Sequence, residues 1–284
     1  QLGAGTTTLS GTNTYSGDTT ISGGTLSLAH ENAAGSGRII QTALTSLVEF
    51  LGGGRMTNEM SVFQYSFDEN FEAAGQVTLA DAASSMAVAD GRTLTGSGSF
   101  VGAGGLTKLG AGSLALTASN GFSGPLSVVA GTLQLASLSG AAAGSVTSVS
   151  VSSGATLLVS QNNQVNNAAS VTLSGGTIRT ASGVSEVFGN LSVTGSGFLD
   201  FGTTSYANAN TISFGTYTYT TTPSALLTIN NFNFGSTLTF GSNLSTTDLA
   251  TFSFTNGGIG SSSWDGSTFT ITAIPEPSTY VAAI

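Results

Sequence analysis

Residues 171–181 read VTLSGGTIRTA. Two runs alternate apolar and polar residues, with a pair of glycines between them. Period-two alternation bounded by Gly and Ser marks half-buried strands joined by a turn. The pattern returns as LSVVAGTLQLA at 126–136, VSVSSGATLLVS at 149–160 and LSVTGSGFLDFG at 191–202. Thr132, Thr156, Thr177 and Phe198 hold matching places and step by 24, 21 and 21 residues. A step of about 20–24 residues suits one coil of a β-solenoid.

One such coil is too small to bury its apolar side alone. Stacked coils align their strands about 4.8 Å apart. Val128, Leu133, Leu135, Val151, Leu157, Val171, Leu173 and Ile178 then point inward and form apolar rows. Outward Thr and Ser favour strands and tolerate water. Gly fits corners that need positive φ, and Asn120, Asn162, Asn163, Asn166 and Asn167 suit the turns between strands. A β-sandwich or barrel also has many short strands. The coil-length step favours the solenoid.

A longer repeat points the same way. LGAGTTTLSGTNTYSGDTTISGGTLSLA (2–29) aligns without gaps on LGAGSLALTASNGFSGPLSVVAGTLQLA (109–136), at a constant offset of 107, with 13 of 28 positions identical. This is a duplicated module. The sequence divides into a first solenoid module (1–107), a second (108–210), an aromatic-rich strand region (211–273) and a tail (274–284).

The chain has 284 residues, long enough for a sizeable core. Only 7% are charged, against about a quarter in an average domain. Hydrophobic residues make up 39%, with 16 Phe and only 4 Pro, so the chain can collapse rather than stay disordered. Net charge is −9, and the five bases are scattered singly. Nucleic acid is therefore excluded as a partner, and an anionic membrane surface repels the chain. Without cysteine there are no disulfides, thiolate metal sites or Cys nucleophiles. No apolar run reaches transmembrane length. The opening at Gln1, within repeat-like sequence and without a visible signal peptide, is read as a mature or trimmed terminus. This composition suits an extracellular bacterial protein.

Chemistry-bearing residues are sparse. Segment 43–75 breaks the rhythm with Met56, Met60, Phe63, Tyr65, Phe67, Phe71 and the acids Asp68, Glu69 and Glu72. It reads as a coil with an inserted loop, with one short helical turn over 68–74. A Ca²⁺ site needs six to eight ordered oxygens, and no such ladder is written there. Glycoside hydrolysis needs two carboxylates at a set separation. Glu186 and Asp200 lie 14 residues apart, short of a coil, and Arg179 is the second module's only arginine. His30, the sole histidine, reads as a corner residue beside Glu31. No catalytic, cofactor-binding or metal-binding residue is assigned, no cofactor is expected, and the chain is not read as an enzyme.

The LGAG…NxxSG…GTLxLA pattern, preceded in its second copy by GGLTK (104–108), resembles the autotransporter-associated β-strand repeat. Near the C-terminus, Pro275, Glu276, Pro277, Ser278 and Thr279 resemble a truncated PEP-CTERM sorting signal, which implies processing by an exosortase-type enzyme. These resemblances imply export and a cell-surface or extracellular destination. The expected fold is all-β: a right-handed parallel β-helix (β-solenoid) with aromatic-rich C-terminal strands. The expected function is structural, a self-assembling subunit of an extracellular filament or matrix joined head to tail by strand pairing. The chain itself is the expected partner, with extracellular polysaccharide as a further one. The alternative is an envelope-anchored adhesin or glycan-binding surface protein, for which Trp264, Tyr206, Tyr217 and Tyr219 are candidate aromatic contacts.

Overall fold

The computed structural model describes residues 2–202, 209–220, 225–255 and 259–273. The chain forms two compact units, Gln1–Thr147 and Ser148–Ile284.

The first unit contains β1 (Thr6–Leu9), β2 (Thr19–Ile21), β3 (Gly24–Leu28), β4 (Ile39–Gln41), β5 (Ser46–Phe50), β6 (Gly54–Met56), β7 (Met60–Val62), β8 (Gln64–Phe67) and β9 (Phe71–Ala73). It continues with β10 (Val77–Leu79), β11 (Ser85–Val88), β12 (Thr93–Gly96), β13 (Phe100–Val101), β14 (Leu106–Leu109), β15 (Ser113–Leu116), β16 (Leu126–Val128) and β17 (Thr132–Leu135). These strands stack in three ladders: β1-β3-β5-β8-β11-β14-β16 (ladder 1), β2-β4-β7-β10-β13 (ladder 2) and β6-β9-β12-β15-β17 (ladder 3). Every pairing is parallel, and paired residues lie 17 to 23 positions apart. A chain that visits parallel ladders in rotation is a β-solenoid, not a sandwich, whose sheets are antiparallel. Val128, Leu133 and Leu135 are buried as the alternation requires.

The duplicated module is one turn of this solenoid. Thr6–Leu9 stacks on Thr25–Leu28 in the first copy, and Ser113–Leu116 stacks on Thr132–Leu135 in the second, at the same offset throughout. The two copies nevertheless occupy different faces. The first lies on ladder 1 with its middle strand β2 on ladder 2; the second lies on ladder 3 with its middle strand β16 on ladder 1. The repeat therefore encodes a turn, not a face. Its conserved Gly24 and Gly131 have φ of +68° and +65°. A Cβ on either would strike carbonyl oxygens of the preceding coil, Gly5 and Gly3 in one case, Gly112 and Gly110 in the other. Its conserved Asn13 and Asn120 donate from Nδ2 to Ala33 and Ala142 carbonyls of the following coil, at 2.7 and 2.8 Å. Such amides satisfy backbone groups at corners where no ladder does.

Segment 43–75 corrects the sequence reading. It contains no inserted loop: β5 to β9 continue the ladders, and Phe71–Ala73, expected within a helical turn, is a strand. Phe50, Tyr65, Phe67 and Phe71 pack as one buried cluster, with Phe50 and Phe67 stacked at 4.7 Å. The departure from rhythm is a change of core filling, from aliphatic to aromatic, in a coil that is shorter than its neighbours, with paired residues 17 positions apart.

The second unit contains β18 (Ser148–Ser152), β19 (Thr156–Val159), β20 (Ser170–Ser174), β21 (Thr177–Thr180), β22 (Ser185–Val187), β23 (Leu191–Val193) and β24 (Gly197–Asp200). Then come β25 (Thr211–Phe214), β26 (Tyr217–Tyr219), β27 (Leu227–Asn230), β28 (Thr237–Phe240), α1 (Thr246–Leu249), β29 (Phe252–Phe254), β30 (Ile259–Trp264) and β31 (Phe269–Ala273). Within it run β18-β20-β23-β26 (ladder 4), β19-β21-β24-β27-β29 (ladder 5) and β22-β25-β28-β31-β30 (ladder 6). Thr156, Thr177 and Phe198 stack directly, as their spacing predicts. Val151, Leu157, Val171, Leu173 and Ile178 are buried.

Strands of the same stack continue through the aromatic-rich stretch, so it builds further coils. Paired residues there lie up to 30 positions apart, and larger side chains fill the wider interior. Phe188, Phe214 and Phe240 stack in one column, at 5.3 and 5.8 Å, and Phe201, Phe232 and Phe254 form another. The one-turn helix α1 is held by a capping box, in which Ser245 accepts from the Asp248 N–H and Asp248 accepts from the Ser245 N–H. Among the described residues no helix is long and apolar enough to cross a membrane.

Candidate functional site

The solenoid disperses the polar candidates. Asp200, on β24, takes Arg179 Nε at 3.4 Å and accepts from Asn231 Nδ2 at 2.7 Å. Glu186, on β22, is fully buried in a different ladder. Its Oε2 accepts the Gln164 N–H at 2.7 Å and its Oε1 the Val165 N–H at 3.0 Å. Burial pushes its pKa up to about 7, against the backbone N–H groups of Gln164, Val165 and Val187 that favour the carboxylate. Both oxygens are thus engaged in joining two coils.

His30 is half-buried and accepts the Asn32 N–H on Nδ1, while neighbouring Glu31 accepts the Arg55 N–H. Glu69 pairs with Arg92 and Glu72 with Arg55, each at 3.1 Å; Arg55 and Glu72 lie opposite each other on β6 and β9, and Glu69 and Arg92 lie between strands. The Ser97 hydroxyl, aided by Arg55, holds the Glu72 carboxyl below its usual pKa. Among the described residues no three acid or His side chains are placed to hold a metal.

One charged group sits where the sequence reading did not look. Lys108, read there as a scattered base, is fully buried in the core row of ladder 1, between Met86 and Val128. Its Nζ donates to the carbonyls of Leu109 (2.7 Å), Gly110 (2.8 Å) and Ala130 (3.2 Å). Three acceptors match the three protons of an ammonium. Burial pushes its pKa down to about 8. The signal was present: Lys108 shares strand parity with inward Leu106.

Two surface features remain. A shallow groove of about 240 Å³ on ladder 2 is lined by Arg38, Ile39, Ile40, Glu59, Met60, Ser61 and Thr78. Arg38 is already held by Asp18, Nη2 to Oδ2 at 2.7 Å. The second feature is the end of ladder 6. There β31 runs antiparallel to β28, and β30 antiparallel to β31. Reversed twice, β30 runs in the direction of the stack. All six of its residues are exposed, and it is the outermost described strand of its ladder.

The proposed aromatic contacts separate. Tyr217 is buried and its hydroxyl bonds Thr251 Oγ1 at 2.7 Å. Tyr219 stacks on Tyr217, with ring centroids 5.6 Å apart. Trp264 is 39% exposed on β30, and Tyr206 lies outside the described residues. So do Pro275, Glu276, Pro277, Ser278 and Thr279, the residues of the sorting-signal reading.

These features define a β-solenoid with its polar chemistry spread along the coils and an exposed strand at the described end of ladder 6. Residues 1–28 and 106–135 match the passenger-associated-transport-repeat, so the chain carries two copies of this autotransporter-associated repeat. The repeat points to a secreted or surface-exposed protein of the autotransporter-passenger type. No curated protein and no solved structure matches the chain.

Proposed function

We propose that this protein is an exported, non-enzymatic structural solenoid of the bacterial surface. In this reading it assembles with copies of itself, head to tail, into an extracellular filament or matrix. The observation that carries the reading is β30, exposed along its whole length at the edge of ladder 6 and free of charged side chains. Edge strands of soluble proteins are usually blunted by Lys, Pro or a covering loop. An uncharged edge that runs in the direction of the stack invites another strand, and contacts between unlike ends propagate without closing. The segment Pro275–Thr279 is proposed as the site at which an exosortase-type enzyme processes the chain.

Light scattering over a concentration series, with electron microscopy of the same samples, tests the reading. Mass that grows with concentration, together with fibres or sheets, is expected. A protein that stays monomeric at high concentration, with no fibres, refutes assembly. Deletion of residues 2–29 is expected to abolish growth and leave the second repeat folded.

The groove on ladder 2 supports a second reading, an envelope-anchored adhesin that binds extracellular polysaccharide. Retention on a polysaccharide matrix, lost in Arg38→Ala, would favour it.

A further inference from the structure

The end of ladder 6 carries a more specific pattern than a bare edge. The pairing of β30 with β31 shifts between Ile259 and Ser261, so Gly260 is a bulge. Beyond it Ser262 stands opposite Ile271, and Trp264 opposite Phe269. Directly opposed residues share a sheet face, and Ile271 and Phe269 are buried. Ser262 and Trp264 therefore lie on the core side, while Ser261 and Ser263 lie on the solvent side. Ile259, opposite Ala273, falls on the core side too because the bulge resets the alternation. Yet Ile259 and Trp264 are 36% and 39% exposed. Among the described residues the hairpin presents a core face on β30 with no further strand paired beyond it.

β1 is the outermost described strand of ladder 1. Thr7 and Leu9 stack on buried Leu26 and Leu28, so they lie on its core side, and Thr6 and Thr8 face solvent. Thr6, Thr7 and Thr8 are exposed. The two outermost strands thus read SSSW and TTTL, with the same residue classes on the same sides.

We infer that β30 of one copy pairs in parallel with β1 of the next, Ser261 to Thr6, Ser262 to Thr7, Ser263 to Thr8 and Trp264 to Leu9. This rests on the head-to-tail reading above and names its contact. The register sets the large Trp264 ring over Leu9 on the core side, and keeps hydroxyl rows facing water on the other. A shift by one residue would turn every side chain to the wrong face. Joining ladder 6 to ladder 1 asks nothing new of the chain, because its own repeat already occupies two different faces with one pairing geometry.

Trp264 is the only tryptophan in the chain, so its emission reports this contact alone. In the full-length protein, emission is expected to move to shorter wavelength in step with the mass seen by light scattering. Ser262→Asp and Thr7→Lys, both at exposed positions, are each expected to abolish growth without changing far-UV circular dichroism. Combined in one chain they are expected to restore it, since opposite charges then face each other across the contact. Ser263→Asp with Thr7→Lys is expected not to. Assembly with unchanged Trp264 emission, or with either single variant assembling normally, overturns this contact and leaves the head-to-tail reading standing. Absence of any assembly overturns both.

Discussion

Lys108→Met removes a buried charge while keeping most of its volume, so opposing effects must be weighed. Hydrogen bonds from a charged donor contribute about 1.5–3 kcal/mol each, and a buried carbonyl left without a partner costs about 1–3 kcal/mol. Three carbonyls depend on this ammonium. Against them stands a desolvation cost of several kcal/mol for the ion, which Met avoids. Leu109, Gly110 and Ala130 are only half-buried, so water recovers part of the loss. We expect a net destabilisation of about 2–3 kcal/mol, or a drop in Tm of roughly 5–10 °C at about 2–4 °C per kcal/mol. Thermal unfolding followed by far-UV circular dichroism at pH 7 measures it. A second signature is independent of that sum. Burial holds the folded-state pKa at about 8, below the ordinary 10.5. Between those values the unfolded chain binds more protons, so stability from this group rises with pH and is lost as pH falls through 8. The advantage of wild type over the Met variant should therefore widen from pH 8 to pH 10. A Met variant that melts at or above wild type at pH 7, with a pH-independent difference, would refute the claim that the three carbonyls compensate the buried charge.

Glu186 gives the opposite slope. Its folded-state pKa of about 7 lies above the ordinary 4.5, so its contribution is full below 4.5 and lost as pH rises through 7; wild type should gain on Glu186→Gln in urea unfolding as pH falls from 8 to 5. Gly131→Ala meets both a positive φ and the carbonyls of the preceding coil, whereas Gly121→Ala enters open space. The first should lower Tm strongly and the second hardly at all, and equal melting curves would contradict the corner geometry. Leu173→Asp places an unpaired charge in the core row and should cost several kcal/mol, while its neighbour Thr172→Ser, half-buried on the outer side, should be close to neutral; denaturant midpoints compare the two.

The coils were legible because strand parity and recurrence are both local properties of the chain. Thr156, Thr177 and Phe198 announce their stacking by spacing alone. Parity also marked what the sequence reading passed over. Lys108 falls in step with Leu106, and Glu186 falls in step with buried Val184 and Phe188. The sequence reading assigns neither of them a side of the strand: Lys108 is counted there among the scattered bases, and Glu186 only as a carboxylate too close to Asp200 to lie one coil away. Segment 43–75 misled for a related reason. Tyr65, Phe67 and Phe71 sit at inward positions and Asp68, Glu69 and Glu72 outside the core, but their density suggests a separate element. The face occupied by each repeat was not legible at all. It depends on how much chain separates the two copies, and nothing within either copy records it.

That last point bears on assembly. A solenoid whose pairing were tied to particular faces could extend only through one rotational match between copies. Here Thr6–Leu9 on Thr25–Leu28 and Ser113–Leu116 on Thr132–Leu135 have the same register on different ladders. What a coil requires of its neighbour is therefore a parallel strand with its apolar residues on the core side and a small residue at the corner. The hairpin supplies the direction by reversing twice. Gly260 supplies the facing, because without the bulge Ile259 and Trp264, five positions apart, would point to opposite sides of the sheet. A deletion of Gly260 would remove the bulge but leave Ile259 directly before Ser261, four positions from Trp264 and still opposite Ala273 on the core side. Assembly should then persist, since Ile259 and Trp264 both keep their side of the sheet. Loss of assembly on deleting Gly260 would refute the claim that the shared facing of these two residues, and not the bulge itself, is what the contact needs.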